Sequence, residues 1–123
     1  PEPRDLPHDV AVDSAGRVVV TGMMTHVMYV LDPAARDGRG EFRPVPISVE
    51  RANPRALDVD RAGRWWIALG APNRVARFDP AAAGEGAWRV WDAGMYAHSV
   101  AVGAGGDVWL NGHFTRDPEL VAR

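Results

Sequence analysis

An all-β architecture of repeated four-stranded sheets is what this sequence predicts, because it says nearly the same thing three times. Residues 7–22 read PHDVAVDSAGRVVVTG, residues 54–69 read PRALDVDRAGRWWIAL, and residues 97–112 read AHSVAVGAGGDVWLNG. The first two copies are offset by 47 positions and the next two by 43. A second match follows each of the first two, MYVLDPAA at 28–35 against VARFDPAA at 75–82. Repeats of this period mark stacked supersecondary units. No segment sustains a helical period.

Each repeat resolves into four short strands. Val10 and Val12 alternate with small or polar residues, and Asp13–Gly16 then supplies a tight turn. Val18–Val20 is β-branched throughout and reads as the second strand. Residues 23–26 form a loop, Met28–Leu31 the third strand, and Asp32-Pro33 its stop. A polar loop over 34–40 leads to a weaker fourth strand at 42–45, which Pro44 and Pro46 mark as an edge. The second repeat follows with strands at 57–60, 65–68, 75–78 and 88–91. The third has strands at 100–102 and 108–111, an enlarged loop, and a third strand at 120–123 that matches Val75-Ala76-Arg77.

Four short antiparallel strands per unit of roughly 40–50 residues is the grammar of a β-propeller blade. The expected organisation is one propeller segment over residues 1–123, with repeats at about 7–53, 54–96 and an incomplete 97–123. An irregular β-sandwich is the alternative. Propellers close with roughly four to eight blades. The chain begins at Pro1 and ends inside a repeat, so it reads as an excerpt of a longer propeller, with self-association as the other way to close a ring.

Composition narrows the function. The 123 residues are 46% apolar and include five Trp, enough for a core. Basic and acidic residues nearly balance, 14 against 16, and the arginines are scattered, which argues against nucleic acid or an anionic membrane as partner. There is no Cys, so disulfides, thiolate metal sites and Cys nucleophiles are excluded. No apolar run reaches the roughly 18 residues of a membrane span.

The repeat P-H-x-[VI]-A-V-D-x-x-G-x-[VW]-[VW], followed by a strand ending in Leu or Phe-Asp-Pro, resembles the blade of virginiamycin B lyase-like (streptogramin lyase) propellers, and more broadly of NHL and SMP-30-type propellers. The resemblance covers residues 7–123 and implies a ring of about six or seven blades with a ligand site on one face. It also implies a divalent metal, Mg2+, beside catalytic His and Glu, elimination at the ester bond of a cyclic depsipeptide, and a periplasmic or secreted location. In that pattern the second strand ends on a rim Glu; here the equivalent positions are Gly22, Leu69 and Gly112.

Strand order puts the loop before strand one and the loop after strand two on one rim. All four histidines fall there: His8 and His98 at matching positions, with Arg55 in the same place in repeat two, and His26 and His113 in the loops after strand two. Neutral imidazole binds metals and moves protons near pH 7. His113 breaks the repeat, its equivalents being Met23 and Gly70, and it precedes the enlarged loop. His113 and His98 are therefore the candidate catalytic residues, and His8, His98 and His113 the candidate metal ligands. Asn111, Arg116, Arg55 and Asp58 are the candidate ligand-binding residues, the ligand being a small molecule or peptide on this rim. His8 and His98 also have a structural alternative, a hydrogen bond to a neighbouring blade's backbone. Asp58 stands where the other repeats have Ala11 and Ala101, and a salt bridge to an Arg is its structural alternative. Two function classes follow: a metal-assisted lyase or hydrolase, and a non-catalytic propeller that recognises a ligand or protein partner.

Overall fold

The computed structural model describes residues 3–112 and 121–122. Three antiparallel sheets follow one another along the chain. The first holds β1 (Pro7–Val12), β2 (Val18–Gly22), β3 (Val27–Asp32) and β4 (Glu41–Pro46), in that spatial order. The second repeats it with β5 (Pro54–Val59), β6 (Trp65–Leu69), β7 (Arg74–Phe78) and β8 (Trp88–Asp92). The third holds β9 (Ala97–Val102), β10 (Val108–Gly112) and β11 (Val121–Ala122). This all-β chain of sequential, blade-like sheets is the architecture that the repeat predicts.

The strand-one register carries a detail that periodicity does not show. Pairing shifts between Pro7 and Val10 in blade 1, and between Pro54 and Ala56 in blade 2. In blade 3 it shifts where Asn111 and Gly112 meet Ser99 and Ala97. Each first strand therefore starts earlier than its alternating valines suggest. Its His or Arg sits at an irregularity, where such shifts re-aim side chains.

The polar loop after β3 makes one tight turn at Ala35–Gly38, with Arg36 and Asp37 in left-handed conformation at φ of 51° and 55°. Arg36 pairs with Glu41 across it, at 2.5 Å. The turns between strands one and two are built alike in the first two blades. Asp13 Oδ1 accepts the N–H groups of Ala15 and Arg17, and its Oδ2 accepts Arg17 Nε at 2.8 Å. Asp60 does the same with Ala62 and Arg64, and takes the Trp66 indole N–H at 3.0 Å as well. Gly16 and Gly63 complete these turns at φ of 76° and 79°, where a side chain would be strained.

Packing is between blades, as alternation requires. The face of blade 1 carrying Ala11, Val19, Val30 and Val45 meets the face of blade 2 carrying Leu57, Val59, Trp65, Ile67, Phe78 and Trp88. Trp65, Phe78 and Trp88 form an aromatic run, with centroids 4.9 and 4.6 Å apart. Blade 2 meets blade 3 through Ala56, Ala68, Ala97 and Val100. The five Trp lie on blade faces, and Trp91, stacked on Trp66, and Trp109 stay partly open.

Candidate functional site

The three first strands lie side by side, β1 against β5 and β5 against β9. Their equivalent second residues, His8, Arg55 and His98, therefore share one end of the channel wall. His8 and His98 come within ring contact, their centroids 5.5 Å apart and their planes nearly perpendicular at 85°. The sequence expectation that they share a rim is met in this geometry.

Hydrogen bonding sets the chemistry of each imidazole. His8 Nδ1 lies 2.7 Å from the Arg55 carbonyl oxygen, which can only accept, so Nδ1 carries the proton. The exposed ring then presents Nε2 outward, with a free lone pair in the neutral form. His26 is the opposite tautomer when neutral: its Nδ1 accepts the Asn53 N–H at 3.1 Å, leaving Nε2–H as a donor. His26 adopts φ of 60°, the left-handed turn conformation, to make this contact. His98 Nδ1 lies 3.5 Å from Ser99 Oγ.

Arg55 is held rather than free. Its Nε donates to Asn53 Oδ1 at 3.2 Å, and its Nη2 donates to the Tyr96 hydroxyl. The guanidinium also lies 5.3 Å from the Tyr96 ring centre, within cation–π range. Tyr96 in turn donates to Asn53 Oδ1 at 3.2 Å, and Asn53 Nδ2 donates to the Met23 carbonyl. One half-buried guanidinium is thus positioned by Asn53 and Tyr96, and Asn53 is itself tied to the Met23 carbonyl.

Tyr96 and Asn53 were not among the residues the sequence singled out. The signal was available in Gly70, whose counterparts are Met23 and His113. A Cβ at Gly70 would stand 2.7 Å from the Tyr96 ring, so the missing side chain is the seat of the tyrosine.

Two further expected ligand residues, Asp58 and Asn111, lie on strands β5 and β10. Among the described residues Asp58 is held by backbone groups: its Oδ1 accepts the Val59 N–H, and its Oδ2 accepts the Val102 N–H at 2.7 Å. The carboxylate ties blade 2 to the backbone of blade 3, which relieves the cost of partial burial. Asn111 lies opposite Ser99 on the face of blade 3 that also carries Ala101 and Trp109. His113 and Arg116 lie outside the described residues.

A Mg2+ ion takes oxygen ligands, whereas His8 and His98 offer nitrogen. Among the described residues no group of three His, Cys, Asp or Glu converges. The described residues alone do not compose the expected metal site. No helix among them is long and apolar enough to cross a membrane.

No protein-family model matches the chain, and no curated protein matches it by sequence. Solved structures do. A streptogramin B lyase structure superposes over 89% of this chain with a TM-score of 0.73 at 17% identity. Virginiamycin B lyase from Staphylococcus aureus, in selenomethionine form, gives 0.69 over 85% at 19% identity. A catalytically inactive variant of that lyase, with quinupristin, gives 0.73 over 89% at 15% identity. The chain spans about a third of each of these structures, 35%, 33% and 36% of their lengths. The sheet order, the blade-to-blade packing and these superpositions agree that the chain has the fold of a virginiamycin B lyase-like β-propeller.

Proposed function

We propose that the mouth formed by His8, Arg55, Tyr96 and His98 binds the carbonyl-bearing part of a cyclic ester and opens it by C–O elimination. The observation that carries this reading is the ring contact of His8 and His98 on first strands that flank the one bearing Arg55, whose guanidinium Asn53 and Tyr96 hold. His98 is the base, and His113 and Arg116 are its proposed partners on the substrate. The base removes a proton from the carbon next to a carbonyl. The new C=C bond forms as the ester oxygen leaves with its electron pair, giving a carboxylate. In this reading Arg55 receives that carboxylate in a charge-assisted pairing. No water is consumed, so the product has the mass of the substrate. The fold shared with streptogramin and virginiamycin B lyases supports the substrate class.

A second reading is a non-catalytic ligand-recognition or protein-interaction scaffold. It is favoured by Gly22, Leu69 and Gly112, which leave the ends of the second strands without a carboxylate. It is favoured too by His8, whose Nδ1 already serves the neighbouring blade.

Incubation with quinupristin, followed by chromatography and mass spectrometry, separates the readings. A linear product of unchanged mass, lost in His98→Gln and in Arg55→Gln, establishes elimination. A product heavier by one water means hydrolysis. Saturable binding without turnover, weakened by Arg55→Gln, establishes recognition. Neither turnover nor binding overturns both.

A further inference from the structure

The joint between blades 1 and 2 is not closed along its whole length. Register sets two rows of side chains against each other there. Blade 1 contributes Ala11, Val19, Val30 and Arg43, and blade 2 contributes Val59, Trp65, Phe78 and Trp88. Toward the rim of the strand-one to strand-two turns, the rows part around a cavity of about 240 Å3. Arg17, Val30 and Arg43 of blade 1 line it with Trp65, Phe78 and Pro80 of blade 2. All of its walls belong to two complete four-stranded blades, and it lies at the opposite end of the strands from His8 and Arg55. In blade 2 the register position of Val30 is held by Arg77, so a short side chain stands here where the next blade has a long one.

The polar side chains of the lining are donors alone. Trp65 is 1% exposed, and its Nε1–H has no hydrogen-bond partner among the described residues. Its neighbour Trp66, on the other face of the blade, gives the same group to Asp60. Buried donors are nearly always satisfied, so an orphan on a cavity wall calls for an acceptor that the blades do not themselves supply. The two guanidiniums also only donate. Arg17 is spent in part, with Nε and Nη2 on Asp13 and the guanidinium 6.0 Å from the Trp65 ring centre. Arg43 is exposed and makes no ion pair among the described residues. The carboxylate nearest in sequence, Asp79 between Phe78 and Pro80, accepts the Ala81 N–H. A fitting ligand carries acceptor oxygens and negative charge at one end and an apolar body at the other.

We infer that this cavity binds a small organic carboxylate. Its apolar body lies against Val30 and Phe78, one carboxylate oxygen accepts from Trp65 Nε1–H, and Arg43 pairs with the other. The cavity is smaller than the roughly 300 Å3 at which drug-sized pockets begin, so the ligand is small. The inference does not depend on the elimination reading, which concerns the other rim.

Proton–nitrogen correlation spectra of the 123-residue chain, titrated with phenylacetate to millimolar concentration, test it. Trp65→Phe identifies the Trp65 indole signal; if that variant does not fold, through-space contacts to Phe78 identify it instead. The Trp65 signal moves downfield and saturates, as an indole N–H does on gaining an acceptor, while that of Trp66 stays. Phenylacetamide, which has the same body without the charge, binds about tenfold more weakly. Arg43→Gln, at an exposed position, weakens phenylacetate by a similar factor and leaves phenylacetamide unchanged. A Trp65 signal that does not move means that water alone serves the indole, and overturns the proposal. Equal binding of the acid and the amide overturns it too, as does phenylacetate affinity that Arg43→Gln leaves intact.

Discussion

The two ends of these blades are made by opposite rules. On the rim of the strand-one to strand-two turns, blades 1 and 2 use the same residues for the same bonds. Asp13 clasps Arg17 as Asp60 clasps Arg64, each ion pair at 2.7 Å. On the other rim the backbone repeats but the side chains do not: His8, Arg55 and His98 share one position, and Met23, Gly70 and His113 share another. Where a repeat is copied, its residues answer to the fold. Where the backbone is copied and the side chain is not, the position is released to chemistry.

Removing one member from each rim gives the largest contrast. Asp60 satisfies two backbone N–H groups, the Arg64 guanidinium and the Trp66 indole, and its side chain is almost wholly buried. Asp60→Ala strands all of these donors and costs about 2–4 kcal/mol in urea unfolding. Arg55→Gln keeps stability within about 1 kcal/mol, since the residue is half-exposed, and abolishes ligand binding at the mouth. The reverse ranking would mean that the variable rim holds the fold.

Acid acts on the same copied rim. Burial raises the pKa of Asp13 and Asp60, but hydrogen bonds outweigh it: those from the Arg17 side chain and backbone at Asp13, and from Trp66 and Arg64 at Asp60. Both carboxyls are held below the ordinary value. Their native pKa being lower than the unfolded one, their stabilisation is full above the unfolded value of about 3.9 and is lost as pH falls through the native value. Thermal melts should show stability falling with acid below about pH 4, with a weaker fall in Asp60→Asn. An unchanged slope in that variant would show that other carboxylates set the acid limit.

Sheet order and strand identity were legible because burial alternates with period two, and the repeat supplied three readings of one pattern. The asymmetric rim was legible as a departure from that pattern, which is how His113, Arg55 and Asp58 came to notice. What alternation could not show is what happens where it fails. The register shift at the start of β1, β5 and β9 decides where His8 and His98 point, and it leaves no mark on hydrophobicity. Asp58 looked like a site because it departs from the repeat, yet it serves a backbone N–H one blade away. Tyr96 escaped notice because its place is made by a residue that is absent, the side chain of Gly70.

His8 belongs to both rules, and a smaller effect measures the mixture. Its Nδ1–H bond to the Arg55 carbonyl joins two blades at an exposed position. His8→Ala should cost about 0.5–1.5 kcal/mol of stability. His8→Asn, which can still donate from a shorter side chain, should recover part of it. If instead His8→Ala leaves unfolding unchanged and halts quinupristin turnover, the residue belongs wholly to the site.

Blade 3 offers the finest comparison, because its turn has lost the clasp. Gly103 replaces the Asp, and Asp107 replaces the Arg. The backbone is nonetheless the same: Gly103 N–H bonds the Asp107 carbonyl at 2.8 Å, as Asp60 N–H bonds Arg64 at 3.0 Å. A Cβ on Gly103 would meet nothing closer than 3.6 Å, and the Trp109 indole nitrogen lies 3.9 Å from it. There is room for an aspartate side chain, and Trp109 stands at the position of the Trp66 that Asp60 uses. Gly103→Asp combined with Asp107→Arg rebuilds the clasp and should add about 1 kcal/mol, or roughly 3–5 °C in Tm. The gain should vanish when Gly103→Asp is made alone, since two carboxylates would then face each other across one turn. A double variant no more stable than the wild type would mean that the copied rim is held by its backbone turn and not by the ion pair.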